Sequence, residues 1–155
     1  MGSLLGQIEQ SGVATWIREG GVLHGYPLIL FLHTFGLSTL VGLSSAINLR
    51  LLGVAPGIPL ASLDRLFWLM WAGFAVTAAT GILLFSADAT RHASNPAFLM
   101  KLVFVLLAVT TLALTWTRVF RGQHRGRILA ALSLTCWFGA LTAGRLMAYI
   151  AEFVS

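Results

Sequence analysis

A histidine, His33, lies inside the first of four long apolar segments, where a membrane-spanning helix normally carries hydrocarbon side chains. Two charged residues, Lys101 and Arg145, interrupt the third and fourth segments. Because ionisable side chains are costly inside a bilayer, such residues are the first candidates for a functional site. An imidazole can bind a metal centre or carry a proton, and the two cations can pair with an anion.

The four apolar segments are each long enough to cross a bilayer, which takes about 20 apolar residues as a helix. We expect spans at about residues 26–50, 65–87, 97–119 and 127–154, preceded by an amphipathic interfacial segment at residues 1–20 that breaks near Ser11. The chain has 155 residues, of which 57% are hydrophobic, and a mean hydropathy of +0.86. The sequence therefore predicts a single all-α integral membrane domain, residues 1–155, built as a four-helix transmembrane bundle.

Composition argues against several classes of function. The net charge of +5 comes mostly from two loops, which indicates membrane topology rather than nucleic-acid binding. The single cysteine, Cys136, excludes an intrachain disulfide and a multi-cysteine metal site, and the N-terminal residues do not read as a signal peptide. The spans carry no Ser/His/Asp constellation, phosphate-binding glycine loop or paired carboxylates, so we do not expect an independent enzyme.

Orientation follows from the lysines and arginines that flank the spans. Three lie on the side of the two termini and the loop at residues 88–96, and six lie on the opposite side. The positive-inside rule then predicts periplasmic termini in the inner membrane of a bacterium. The three on the side of the termini are Arg18, Arg91 and Lys101. The six on the opposite side are Arg50, Arg65, Arg118, Arg121, Arg125 and Arg127.

The polar residues of three spans fall in the same half of the membrane. At about 1.5 Å of rise per residue, His33, Lys101 and Arg145 lie roughly 10, 6 and 13 Å below the predicted periplasmic surface. Helical spacing also predicts stripes of small and polar residues that line one cavity opening to that side. The stripes are His33, Gly36, Leu40 and Ser44; Gly73, Thr77, Gly81, Leu84 and Asp88; and Arg145, Tyr149 and Glu152, with Asp88, His92 and Glu152 at the mouth.

Haem is the leading cofactor hypothesis, since a neutral imidazole in a helix bundle is a common axial ligand. His33 would ligate the iron, and Lys101 and Arg145 could neutralise the propionates. The second ligand would be His92 or His24, unless the iron is five-coordinate. The protein would then be an accessory or electron-transfer subunit that binds b-type haem.

Copper is an alternative, with ligands from His33, His92 or His24, and Met100 or Met147. A second alternative is a structural or assembly subunit of a larger membrane complex, in contact with other subunits or with further copies of the chain. In that case His33 would bond a neighbouring Ser or Thr, Lys101 would extend to the interface, and Arg145 would pair with Glu152 or Asp88.

Several motifs resemble a family of small uncharacterised bacterial four-span inner-membrane proteins. They are Trp16-Ile-Arg-Glu-Gly, Tyr26-Pro-Leu-Ile, His33-Thr-Phe-Gly-Leu, Asn48-Leu-Arg-Leu-Leu-Gly, Trp71-Ala-Gly-Phe, Thr80-Gly-Ile-Leu-Leu-Phe and Asn95-Pro-Ala-Phe-Leu-Met-Lys. The resemblance implies that His33, Arg50 and Lys101 belong to the family pattern. The chain departs from that pattern at Leu30, where the family often has an acidic residue. A more distant similarity, carried by His33 and the small residues around it, is to copper-resistance D-type membrane proteins.

Overall fold

The computed structural model describes residues 2–21, 24–121 and 126–153, and every regular element within them is helical. This confirms the predicted all-α fold. A π-helical stretch, Thr115–Phe120, continues α7. In chain order the α-helices are α1 (Gly2–Glu9), α2 (Gly12–Glu19), α3 (Tyr26–Leu52), α4 (Leu60–Leu63), α5 (Leu66–Ala87), α6 (Ala89–Ser94), α7 (Pro96–Leu114) and α8 (Arg127–Phe153).

Four helical segments are long and apolar enough to cross a membrane, which confirms the four predicted spans. They cover Tyr26–Leu52, Leu60–Ala87, Pro96–Phe120 and Arg127–Met147. The first and third begin where proline occupies the first helical turn, a position that needs no backbone N–H. The N-terminal segment breaks at Ser11 as expected, because the Ser11 hydroxyl accepts a hydrogen bond from the Ala14 amide at 3.3 Å and caps α2.

The chain forms two compact units. Unit 1 consists of Met1–Leu40 and Trp71–Asn95, and therefore contains α1, α2, α6, the first part of α3 and most of α5. Unit 2 consists of Val41–Met70 and Pro96–Ser155, with the rest of α3 and α5 and all of α7 and α8.

Within unit 1, α3 and α5 approach each other through glycines. A Cβ added at Gly36 would lie 2.7 Å from the Thr77 hydroxyl oxygen and 2.9 Å from the Gly73 carbonyl oxygen. A Cβ at Gly73 would in turn lie 3.0 Å from the Gly36 carbonyl oxygen. Small residues at such crossings let two backbones pack closely, which is how helices associate where lipid surrounds them.

We expect Gly36→Ala to destabilise the protein by about 1–3 kcal/mol, because the new methyl group would meet backbone that cannot move aside locally. Gly42 lies on the same helix with no atom within 4 Å of an added Cβ. Gly42→Ala should be neutral or stabilising by up to about 1 kcal/mol, since alanine favours a helix over glycine. Thermal unfolding of both variants in the same detergent measures the difference, and equal midpoints would contradict the close crossing.

Unit 2 has a core in which aromatic residues and a buried polar cluster meet. Phe67 stacks on Trp116 at 5.9 Å between ring centroids and meets Phe120 edge-on at 4.9 Å. The Trp137 indole donates a hydrogen bond to the Ser44 hydroxyl oxygen at 3.0 Å, and the Asn48 amide donates to the same oxygen at 3.3 Å. All three members of this polar cluster are buried, so the bonds between them satisfy groups that lipid could not.

Candidate functional site

His33 is held against α5 by a hydrogen bond to Thr80. The imidazole Nδ1 lies 3.0 Å from the Thr80 hydroxyl oxygen, and that hydroxyl donates its own proton to the Val76 carbonyl oxygen at 2.6 Å. Because the Thr80 proton is engaged there, the Nδ1–H of His33 is the donor in the first bond. In the neutral ring the lone pair then lies on Nε2, and Nε2 is the nitrogen that can bind a metal centre.

The backbone of α5 makes room for this imidazole at Gly81. A Cβ added there would lie 3.2 Å from Cε1 and 3.6 Å from Nδ1 of His33. The ring is half-buried, and its orientation is determined by Gly81 on one side and the Thr80 bond on the other. Parts of the two stripes that the sequence predicts to line a cavity, one on α3 and one on α5, are therefore packed directly against each other within unit 1.

One polar group beside this crossing lacks a hydrogen-bond partner among the residues that the structure describes. The Thr77 hydroxyl oxygen is buried and unsatisfied, close to Gly36 and one turn from Gly81. A buried hydroxyl without a partner costs free energy, and such groups are often found where a water or ligand binds. The α3–α5 crossing thus combines an oriented imidazole with an available hydroxyl.

His92 has the same tautomer as His33. Its Nδ1 lies 2.7 Å from the backbone carbonyl oxygen of Asp88, which can only accept, so Nδ1–H donates and Nε2 carries the lone pair. The ring meets Phe85 edge-on, with 6.3 Å between centroids. His92 is half-buried on α6 and belongs to unit 1 with His33.

Lys101 and Arg145 belong to unit 2, on α7 and α8. The Lys101 side chain lies over Gly144, whose added Cβ would be 3.7 Å from the lysine Cδ and Cε atoms. The structure therefore places Lys101 beside the α8 turn that carries Arg145, as their predicted depths suggest. Arg145 itself is exposed on the surface of α8, and the side chain of Glu152 lies outside the described part of the structure.

Two charged residues of the N-terminal segment that are not among the predicted site residues contact the end of α5 and the first turn of α6. Arg18 Nη1 donates to the Ala87 carbonyl oxygen at 3.0 Å, and a Glu9 carboxylate oxygen accepts from the Thr90 amide at 2.7 Å. With Tyr26 and Asp88 they line an open cleft of about 500 Å³ in unit 1. Helical periodicity gives no signal for these contacts, because they join segments about 70 to 80 residues apart.

Within the described residues, no group of three or more His, Cys, Asp or Glu side chains is placed to hold a metal ion. The arrangement at His33 offers instead a single imidazole ligand with its tautomer determined by a hydrogen bond to the other nitrogen. That type of support orients a metal-binding histidine and increases its basicity. Comparison with known proteins adds no further information: no family model, no curated protein and no solved structure matches the chain.

Proposed function

We propose that this multi-pass membrane protein binds b-type haem through Nε2 of His33 and serves as an accessory or electron-transfer subunit. The observation that carries the proposal is the Nδ1–H bond from His33 to Thr80, which puts the lone pair on Nε2 inside an apolar span. A haem iron needs one or two imidazole ligands from a protein, whereas a copper centre needs several convergent donors. Because the described residues contain no convergent group of three or more His, Cys, Asp or Glu side chains, we favour haem over copper.

Chain residues other than His33 have supporting parts in this proposal. Thr80 positions the imidazole, Gly81 leaves room for it, and His92 is the candidate second ligand. The iron would supply one-electron redox chemistry when bound. The apolar surface of the spans would exclude water from the ligand and hold the subunit among lipids or neighbouring subunits.

An absorption spectrum of the protein purified in detergent, recorded before and after dithionite, tests the proposal. We expect a Soret band that shifts on reduction and sharp bands at longer wavelength typical of b-type haem. Copper in stoichiometric amount without these bands would support the copper alternative. Absence of both, after expression with added haem precursor, would contradict cofactor binding.

Thr80→Val should weaken cofactor retention by about 10- to 100-fold, because it removes the group that accepts the Nδ1–H bond of His33. Valine has nearly the same shape, so the loss would come from the hydroxyl. Thr80→Ser, which keeps the hydroxyl, is the matched control and should retain most of the haem. The measurements are the haem-to-protein ratio and the midpoint potential of the haem. Equal values for both variants would show that the Thr80 hydroxyl does not support the haem ligand.

The lysine and arginine distribution supports an orientation with both termini in the periplasm. Alkaline phosphatase fusions after Ser155 and within residues 88–96 should be active, because that enzyme folds in the oxidising periplasm. Phosphatase fusions near Gly57 should be inactive, because this loop is predicted to lie in the cytoplasm. At the same position, a reporter that is active in the cytoplasm should give a signal. An active phosphatase at Gly57 would reverse the orientation.

A structural or assembly subunit is the second candidate function, and the Gly36–Gly73 crossing favours it. In that case the His33–Thr80 bond would hold α3 to α5 without any cofactor, as polar residues in spans often do. Stable co-purification with other membrane subunits, in protein that has no haem or copper, would select this alternative.

A further inference from the structure

The cleft lined by Glu9, Arg18, Tyr26 and Asp88 lies at the depth of lipid headgroups. It is formed where α3 begins, at Tyr26, and where α5 ends, at Ala87. Because α3 and α5 belong to membrane-spanning segments, their ends mark the boundary between the hydrocarbon core and the polar interface. Trp16 and Tyr26, which are 50% and 47% exposed, are residue types enriched at that boundary.

Arg18 provides a positively charged group of defined position in the cleft. One guanidinium N–H donates to the Ala87 carbonyl oxygen at 3.0 Å, which attaches the side chain to the last turn of α5. A guanidinium has further N–H donors in a planar fork, and this geometry matches the oxygens of a phosphate. Arg18 can therefore hold a phosphate while it keeps its bond to Ala87.

Two carboxylates provide the opposite charge in the same cleft. One Glu9 oxygen accepts from the Thr90 amide, and a carboxylate has a second oxygen that can accept from a ligand. Asp88 faces Arg91 at 3.8 Å, at the outer limit of an ion pair, with both side chains partly exposed. An ammonium group would thus find two acceptors, whereas a second anion would be repelled by both.

We propose that this cleft binds the headgroup of phosphatidylethanolamine, with the phosphate at Arg18 and the ammonium at Glu9 and Asp88. Among the side chains that line the cleft, one cation beside two carboxylates matches a zwitterion better than a purely anionic headgroup, and Arg91, which faces Asp88, lies outside this lining. The volume of about 500 Å³ accommodates a headgroup, and the cleft is open to the surface of unit 1. The site is independent of His33 and does not depend on haem.

Native mass spectrometry of the full chain in detergent, titrated with dioleoyl lipids that differ only in the headgroup, tests this site. Phosphatidylethanolamine should bind at least about tenfold more tightly than phosphatidylglycerol, which lacks the ammonium, since hydrogen bonds to charged groups contribute that much. It should also bind more tightly than phosphatidylcholine, whose quaternary ammonium has no N–H donor. Glycerophosphoethanolamine has the same headgroup without acyl chains and should bind far more weakly.

Two variants assign the lipid to the cleft. Glu9→Gln keeps an oxygen that can accept from Thr90 but removes the charge, so it should reduce the preference for phosphatidylethanolamine over phosphatidylglycerol about tenfold. Glu19→Gln, an exposed glutamate on the same N-terminal segment, is the control and should leave the preference unchanged. Arg18→Gln should weaken both lipids, whereas Arg65→Gln, at an exposed arginine elsewhere, should weaken neither.

Three results would overturn the proposal. Equal affinity of the wild-type protein for the ethanolamine, glycerol and choline headgroups would show that the cleft does not recognise a primary ammonium. An unchanged preference in Glu9→Gln would place any lipid elsewhere on the surface. Equal binding of glycerophosphoethanolamine and the intact lipid would identify a soluble ligand rather than a membrane lipid.

Discussion

His33→Ala is expected to remove the Soret band from the purified protein completely while leaving the protein in the membrane. The reason is that Nε2 of His33 is the proposed axial ligand, and alanine offers no donor in its place. Insertion should persist because the span Tyr26–Leu52 becomes more apolar with this change. The measurements are the haem-to-protein ratio and the amount of protein in the membrane fraction.

Three further variants show whether the loss is specific to this ligand. His24→Ala changes an exposed histidine that precedes the first span and should retain full haem content. His92→Ala should keep the haem but change its spin state if His92 is the second ligand. His33→Gln keeps a polar side chain that can bond Thr80, so retained stability without haem would separate ligation from packing. Full haem content in His33→Ala would contradict the proposed ligand.

Much of the fold could be predicted from the sequence because a bilayer imposes length and hydropathy directly. The four spans and the break at Ser11 follow from apolar length and capping chemistry, and all are found. Helical spacing also predicts that His33 and Gly36 share one face of α3 and that Gly73 and Gly81 share one face of α5, and the structure packs these faces together. Periodicity identifies which residues share a face, and small residues indicate which faces can approach closely.

The partners of individual polar side chains could not be predicted in the same way. Hydrophobic spacing does not say which carbonyl oxygen Arg18 will reach, nor that Glu9 will accept from Thr90. The sequence likewise does not indicate that Arg145 is exposed on α8, because a charged residue in a span is expected to face inward. These features depend on distances between segments that are remote in sequence.

The sequence predicts only part of the Ser44–Asn48–Trp137 cluster. Helical spacing predicts that Ser44 shares the His33 face of the first span, but the pattern does not link it to an indole on the fourth span. A hydrogen bond joins Ser44 and Trp137, which are 93 residues apart in sequence. A tryptophan in a span is usually read as a lipid-facing or interfacial residue, and Trp137 is instead 1% exposed.

Trp137→Ala is expected to destabilise the protein by about 3–5 kcal/mol, the cost of removing a large aromatic side chain from a packed core. The substitution leaves a cavity in unit 2 and removes the indole donor from Ser44, while Asn48 stays bonded to the same oxygen. Unfolding in mixed micelles with increasing dodecyl sulfate, or by heat in one detergent, measures the change relative to wild type.

Trp68 is the matched control, because it is the same residue type and is 79% exposed. Trp68→Ala removes a side chain that contacts lipid or detergent, so it should change the unfolding free energy by less than about 1 kcal/mol. Trp137→Phe separates packing from hydrogen bonding, and its cost should be closer to the roughly 0.6–1.7 kcal/mol of a polar contact between membrane helices. If Trp137→Ala and Trp68→Ala were equally stable, the buried cluster would not contribute to holding α3 and α8 together in unit 2.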